Sequence, residues 1–304
     1  MESATTTIGV SGAEGRRSLA STLLDYVALT KPRIISLLLW TTVTTMVAAA
    51  PSGLQLSTVL WTMLGGYLAA GGAGAINHYI DRDRDAQMSR TRGRPLVSGR
   101  IQPLHGLGFG IVLGALATAQ LALTVNVLAA ALALAGLLGY VFVYTVWLKP
   151  LTPQNIVIGG AAGAVPPLVG WAAATDGLAP EALIPFAIVF LWTPPHFWAL
   201  SLLIKDDYAR TGVPMLPVVK GEAETRRQIV LYTIGLVAFT ALPVATGFLG
   251  GAYLGTALVL GGAFTALALR LRREPTPRAA LRLYLCSLAY LALLFAAIAV
   301  DRVI

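Results

Sequence analysis

Three residues spaced four apart carry the most chemistry in this sequence: Asn77, Asp81 and Asp85. On a helix they share one face, while Asp83 falls on the other side. An amide and two carboxylates in one stripe make an oxygen-rich site for a hard cation such as Mg²⁺, and a cation there can hold a diphosphate. Arg90, Arg92 and Arg94 follow closely, and guanidinium groups suit diphosphate oxygens. The plain alternative is a solvated loop in which Asp81, Asp83 and Asp85 pair with Arg82 and Arg84, since surface ion pairs are common and worth little. The four-residue spacing and the arginines behind it favour a site. So does the glycine-rich apolar stretch just before it, Gly65 to Ile76, because carboxylates at a membrane rim are costly unless they are used.

Composition says what must position these groups. Of 304 residues, 56% are hydrophobic and 12% charged, where a soluble domain usually carries about 25% charged. Mean hydropathy is +0.73. This is the profile of an all-α polytopic membrane protein. At roughly 20 apolar residues per crossing, nine spans are expected: 34–51, 56–76, 104–124, 126–147, 154–174, 181–204, 229–249, 251–270 and 281–300. The net charge of +8 would suggest nucleic acid on a soluble protein. Here nucleic acid is excluded as a partner, because the bases are loop residues. Every Lys and Arg except Arg302 lies before the first span or after an even-numbered one, which puts the N-terminus in the cytoplasm. Residues 1–24, rich in Ser, Thr, Gly and Ala, read as a disordered cytoplasmic tail, and 25–304 as one membrane domain. The tail lacks the apolar core of a secretory signal. Its few arginines favour a bacterial plasma membrane over a mitochondrial inner membrane. The single cysteine, Cys286, has no internal disulfide partner.

Leu24 to Arg33 reads as a short interfacial helix leading into the first span, with Lys31 and Arg33 as positive-inside anchors or phosphate contacts. The proline pairs Pro166-Pro167 and Pro194-Pro195 lie inside spans. Such breaks are tolerated where freed backbone faces protein or a cavity, and a cavity at membrane depth is what a lipophilic substrate needs. Gly65, Gly66, Gly71, Gly72 and Gly74 allow close helix packing or leave room for a ligand. Tyr140, Phe142, Tyr144 and Trp147 read as an interface belt or a pocket wall. A second acidic loop, Lys205-Asp206-Asp207-Tyr208, follows the sixth span as the first follows the second. That four-helix period suggests an internal duplication. Asp207 then serves a metal or orients a base, and Lys205 either contacts diphosphate or anchors the loop. The three histidines are His78, His105 and His196; His196 lies beside Pro195 within the sixth span, where an imidazole needs a polar partner such as a neighbouring helix.

Thr30-Lys31-Pro32-Arg33, the Asn77–Asp85 stretch continued by Arg90-Thr-Arg-Gly-Arg-Pro-Leu96, Pro195-His196-Phe197-Trp198-Ala199-Leu200, and Lys205 to Tyr208 with Gly212-Val-Pro-Met-Leu-Pro217 together carry a resemblance. From about residue 24 to its end the chain resembles the UbiA-type intramembrane prenyltransferase superfamily, and the sixth span with its loop is similar to the branch that farnesylates haem. The resemblance implies a UbiA-like bundle of nine helices around a central cavity. It implies Mg²⁺ on Asn77, Asp81, Asp85 and Asp207, and diphosphate on Arg90, Arg92, Arg94, Lys31, Arg33 and Lys205. It offers His196, Phe197 and Trp198 to haem B. The implied reaction ionises farnesyl diphosphate, joins C1 to the haem 2-vinyl group and adds water, giving haem O on the way to haem A and the terminal oxidase cofactor. Trp192, Phe197, Trp198, Tyr144 and Tyr79 could steady the allylic cation at about 0.5–2 kcal/mol each. Implied partners are haem B, farnesyl diphosphate, the bilayer, and a downstream haem A synthase or oxidase assembly factors, with the site on the cytoplasmic side.

One departure stands out. Many superfamily members carry a second Asp-x-x-x-Asp, but Thr211 follows Asp207 at four residues and Arg210 follows Asp206. Only part of a second metal site remains, as in the haem branch. Two other readings stay open. One is the same fold with an aromatic acid or quinone precursor as acceptor. The other is a transporter using the proline breaks, against which the acids gather at one rim instead of mid-bilayer.

Overall fold

The computed structural model describes residues 18–304, which form helices and connecting turns with no strand among them. The Ser18 side chain caps α1 (Leu19–Thr30) by accepting from the Ser21 amide at 3.2 Å, as N-cap serines do. The helix therefore starts inside the tail expected to be disordered through residue 24; residues 1–17 lie outside the described residues. It stops at Lys31, whose backbone is left-handed (φ 59°, ψ 54°). Pro32 explains the break, because a residue before proline is disfavoured in the helical region. A new helix, α2 (Pro32–Ala49), starts with that proline in its first turn, a position where the missing N–H costs nothing.

α3 (Leu56–Ile80) runs into α4 (Arg82–Gln87) through Asp81. Helical hydrogen bonding crosses the junction, from the Asp81 amide to Asn77 at 2.9 Å and from the Asp85 amide to Asp81 at 2.8 Å. α5 (Pro103–Thr124) follows, then α6 (Val127–Leu138), a π-helical stretch (Gly139–Leu148) and α7 (Lys149–Leu151), which form one rod. Next come α8 (Asn155–Thr175), α9 (Leu183–Leu203), the short α10 (Lys205–Arg210) and α11 (Leu216–Val219), then α12 (Gly221–Phe239) with α13 (Leu242–Ala245), α14 (Gly251–Arg273) and α15 (Pro277–Val303).

Among the described residues, nine helices are long and apolar enough to cross a membrane. Their ends match the expected spans to within about four residues except at the seventh, which starts at Gly221 instead of 229. Arg226 pairs with Glu222 at 3.3 Å and Arg227 with Glu224 at 3.3 Å. These i,i+3 and i,i+4 pairs extend the helix beyond its apolar part, which hydropathy alone does not register.

The spans follow one another around a ring, α2, α3, α5, α6, α8, α9, α12, α14 and α15, and α15 returns to α2. α2 also packs on α8, and α9 on α15. Two of these contacts depend on glycine. A Cβ on Gly72 of α3 would stand 2.7 Å from the Gly110 carbonyl oxygen of α5, and one on Gly170 of α8 would stand 2.4 Å from the Thr42 carbonyl oxygen of α2. Gly170→Ala is therefore expected to lower stability by about 1–3 kcal/mol through overpacking. Gly108→Ala, whose Cβ meets open space, is the control. Denaturation midpoints of the purified proteins check this, and equal midpoints would refute it.

Candidate active site

The stripe expected from the sequence is a stripe in the fold, and it is buried: Asn77, Asp81 and Asp85 are 4%, 1% and 4% exposed. Asn77 Nδ2 donates to Asp81 Oδ2 at 2.8 Å, and Asn77 Oδ1 accepts from Lys31 Nζ at 2.7 Å. Asp81 also binds Lys149 Nζ at 2.5 Å and Arg84 Nη1 at 3.3 Å. Asp85 accepts from Arg94 Nη1 at 2.5 Å. Asp83 points away, exposed, beside Arg82. The left-handed turn before Pro32 aims Lys31 into this cluster; a non-glycine residue in that conformation is uncommon and costs energy.

Two of the cluster's members were not singled out from the sequence, and the π-helix explains both. Its wide turns repeat at five residues: Thr145 Oγ1 donates to the Tyr140 carbonyl at 2.9 Å, and the Lys149 amide to that of Tyr144. One face of the rod therefore carries Tyr140, Thr145 and Lys149. Thr145 Oγ1 accepts from Asn77 Nδ2 at 3.1 Å. Tyr140 lies under Lys31, with Nζ 6.0 Å from its ring centre. The available signal was Lys149 itself, the lone base of its loop.

Asp207 reaches the first loop from the second. It accepts from Ser89 Oγ at 2.9 Å and from the Ser89 amide at 3.4 Å, and it pairs with Arg210. Burial alone would raise its carboxyl, but the Ser89 hydrogen bonds and Arg210 hold it below the usual range. Met88, Tyr208, Val213 and Met215, with Phe197 and Tyr144 against them, pack the two loops together. Burial lifts the Tyr208 phenol to about 12.

Acids are outnumbered here. Lys31, Arg84, Arg94, Lys149 and Arg210 all bond to Asn77, Asp81, Asp85 or Asp207. Burial, then Arg94 and Lys149, bring Lys31 down to about 7 against the opposing pull of Asp81 and Asp85. An anion bound beside it would favour its charged form. Among the described residues, no three His, Cys, Asp or Glu side chains converge as a metal cage. Mg²⁺ needs none, since it takes one or two carboxylates and completes its shell with phosphate oxygens and water. The oxygens of Asn77, Asp81 and Asp85 fit that requirement, and Asp207 stands behind Ser89.

The cluster opens on an apolar cavity of about 230 Å³ between α2, α3, the α6 rod and α8. Lys31 and Tyr140 form its polar end, and its walls are mostly small residues such as Gly66, Ala70, Ala73 and Gly163. Proline in α8 borders it at Pro166.

The remaining expected residues stand elsewhere. Arg33, Arg90 and Arg92 are exposed at the rim. Lys205 pairs with Glu222 at 2.7 Å. His196 lies between α9 and α15, stacked on Trp192 (4.1 Å) and Tyr284 (4.8 Å). Its Nδ1 is 2.7 Å from Ser287 Oγ. Trp198 is buried edge-on to Tyr232 of α12, apart from the cavity. His105 is exposed, and His78 is buried with neither ring nitrogen hydrogen-bonded.

Residues 38–297 match the UbiA prenyltransferase family. The chain is 60% identical over 292 residues to the protoheme IX farnesyltransferase of Roseiflexus sp. (strain RS-1), covering 96% of this chain and 54% of that protein. It thus spans about half the length of the first relatives it matches, including those of Roseiflexus castenholzii and Chloroflexus aurantiacus. Against the protoheme IX farnesyltransferase of Symbiobacterium thermophilum, identity is 53% over 291 residues, covering 95% of this chain and 97% of that protein. The fold is shared with a UbiA homologue from Archaeoglobus fulgidus bound to GPP and Mg²⁺, with a TM-score of 0.65, 18% identity, and coverage of 90% of this chain and 99% of that one. With nine apolar helices among the described residues and a family match over most of its length, this chain is a multi-pass membrane protein and belongs to the UbiA prenyltransferase family.

Proposed function

We propose that this chain transfers the farnesyl group of farnesyl diphosphate to the 2-vinyl group of haem B, with addition of water, giving haem O and diphosphate. One observation carries the reading: Lys31 belongs both to the buried acid–base cluster and to the apolar cavity. A molecule with a polyanionic head and an apolar tail fits that junction. Identity to protoheme IX farnesyltransferases over most of the chain supports the acceptor.

Each part then has work to do. Asn77, Asp81 and Asp85, with Asp207 behind them, hold Mg²⁺, which when bound supplies positive charge to the departing diphosphate. Lys31, Arg94 and Lys149 complement the remaining phosphate charge, and Arg33, Arg90, Arg92 and Lys205 draw the anion in from the rim. The cavity holds the tail and keeps water from the allylic carbon. The C1–O bond breaks, a vinyl carbon bonds to C1, and water adds to the resulting cation and loses a proton. On the acceptor side, Ser287 Oγ donates to the Tyr284 carbonyl at 2.6 Å, so His196 Nδ1–H donates to Ser287. That tautomer leaves the Nε2 lone pair for haem iron, with Phe197 nearby. The basic rim supports an active end at the cytoplasmic face of a bacterial plasma membrane. The product suits a downstream haem A synthase or oxidase assembly factors.

The test is purified protein in lipid nanodiscs with haem B, farnesyl diphosphate and Mg²⁺. Haem O and diphosphate should appear in equal amounts. If haem B is inert while hydroxybenzoate or a quinone precursor is prenylated, the acceptor is wrong. Solute transport without diphosphate release would overturn the enzyme reading.

A further inference from the structure

We infer that Met46, seated beneath the ring Thr42, Ala133 and Val169, is the stop that sets the length of prenyl chain this cavity accepts. This rests on the cavity holding the prenyl tail. Helix directions define its depth. α3 and the α6 rod both end at the polar cluster, and α2 leaves it at Lys31. Thr42, Gly66, Ala133 and Val169 are therefore the lining residues farthest from Lys31. Gly74 and Gly66, and Lys31 and Thr42, bracket the cavity along α3 and α2. At about 1.5 Å per residue these intervals give a depth of about 12–16 Å, which suits an extended chain of three isoprene units.

What lies beyond decides whether a fourth unit could follow. Met46 is one turn below Thr42 on α2 and fully buried. It belongs to one apolar cluster with the lining residues Ala69, Ala133 and Val169 and with Ala129, Ala130, Ala172 and Ala173. Most of that cluster is alanine; its other long buried side chain, Leu121 of α5, packs against Gly65 of α3, which does not line the cavity. Met46 is thus the long side chain that continues a lining helix, α2, just past the cavity's last residue on it, Thr42, and it is flexible enough to fill an irregular gap. The walls on α3, the α6 rod and α8 are mostly Gly and Ala, while α2 supplies Ile34, Ile35, Leu38 and Leu39 along the cavity's length; depth is therefore what Met46 limits.

The experiment measures kcat/KM of the full chain for geranyl, farnesyl and geranylgeranyl diphosphates with haem B. Met46→Ala should raise the geranylgeranyl-to-farnesyl ratio about tenfold or more, since pocket volume discriminates at about 10–200-fold per small group. Ala133→Leu, which shortens the cavity from the same level, should shift preference toward geranyl by about tenfold. Met46→Leu should keep the native ratio. An unmoved ratio in Met46→Ala that still turns over farnesyl diphosphate overturns the proposal; if that variant does not accumulate, Val169→Ala reads the same floor. If the unaltered protein leaves haem B unprenylated, the acceptor reading fails and the floor is tested by binding. Kd values for farnesyl and geranylgeranyl thiolodiphosphates then decide, and an unchanged Kd ratio in Met46→Ala would sink it.

Discussion

Asp81→Asn is expected to lower kcat/KM for farnesyl transfer by about 10³, near 4 kcal/mol of transition-state stabilisation. The substitution keeps the shape of the side chain and removes one charge. That charge is where Asn77, Arg84 and Lys149 converge, and in the proposed reaction it is the central carboxylate of the Mg²⁺ site. The variant also leaves Lys149 without its counter-charge in a buried place, and one partner removed from a buried pair is strongly destabilising. A lower denaturation midpoint should therefore accompany the kinetic loss. To separate the two, turnover is measured well below the midpoint on monodisperse protein of unchanged helicity. Activity within tenfold of the unaltered protein under those conditions would remove Asp81 from catalysis.

Stripping divalent cations should have an effect of the same order, about 10³ or more in turnover, because charge on the departing diphosphate is the dominant barrier in such an ionisation. Restoring Mg²⁺ should restore turnover, whereas Ca²⁺ should do so poorly. Mg²⁺ prefers six oxygens at short distance, which two carboxylates, an amide, diphosphate and water would supply here, whereas Ca²⁺ favours 6–8 oxygens at longer distance. The buried bases offer an alternative to a metal, since Arg94 and Lys149 already contact Asp85 and Asp81, and Lys31 contacts Asn77. Chelation separates these alternatives: turnover that survives an excess of EDTA, after exhaustive metal removal, would show that the bases suffice.

Local information in the chain was enough for the class of fold and for the alignment at the centre of the candidate site. Apolar run lengths located the spans, because a helix crossing lipid must be apolar over its whole length. The four-residue spacing of Asn77, Asp81 and Asp85 aligned them before any fold was known, since helical hydrogen bonds continue through Asp81. Tertiary structure decided the rest. Lys149 and Asp81 are brought together by a π-helix whose wide turns leave no trace in apolar periodicity. Ser89 meets Asp207 because two loops pack on a shared apolar cap. Trp198 and Lys205 fell to other partners, Tyr232 and Glu222, for the same reason. Whether an aromatic or a lysine serves a ligand or a neighbouring helix depends on which face packing covers, and in a closed ring of helices that is settled by contacts between residues far apart in the chain.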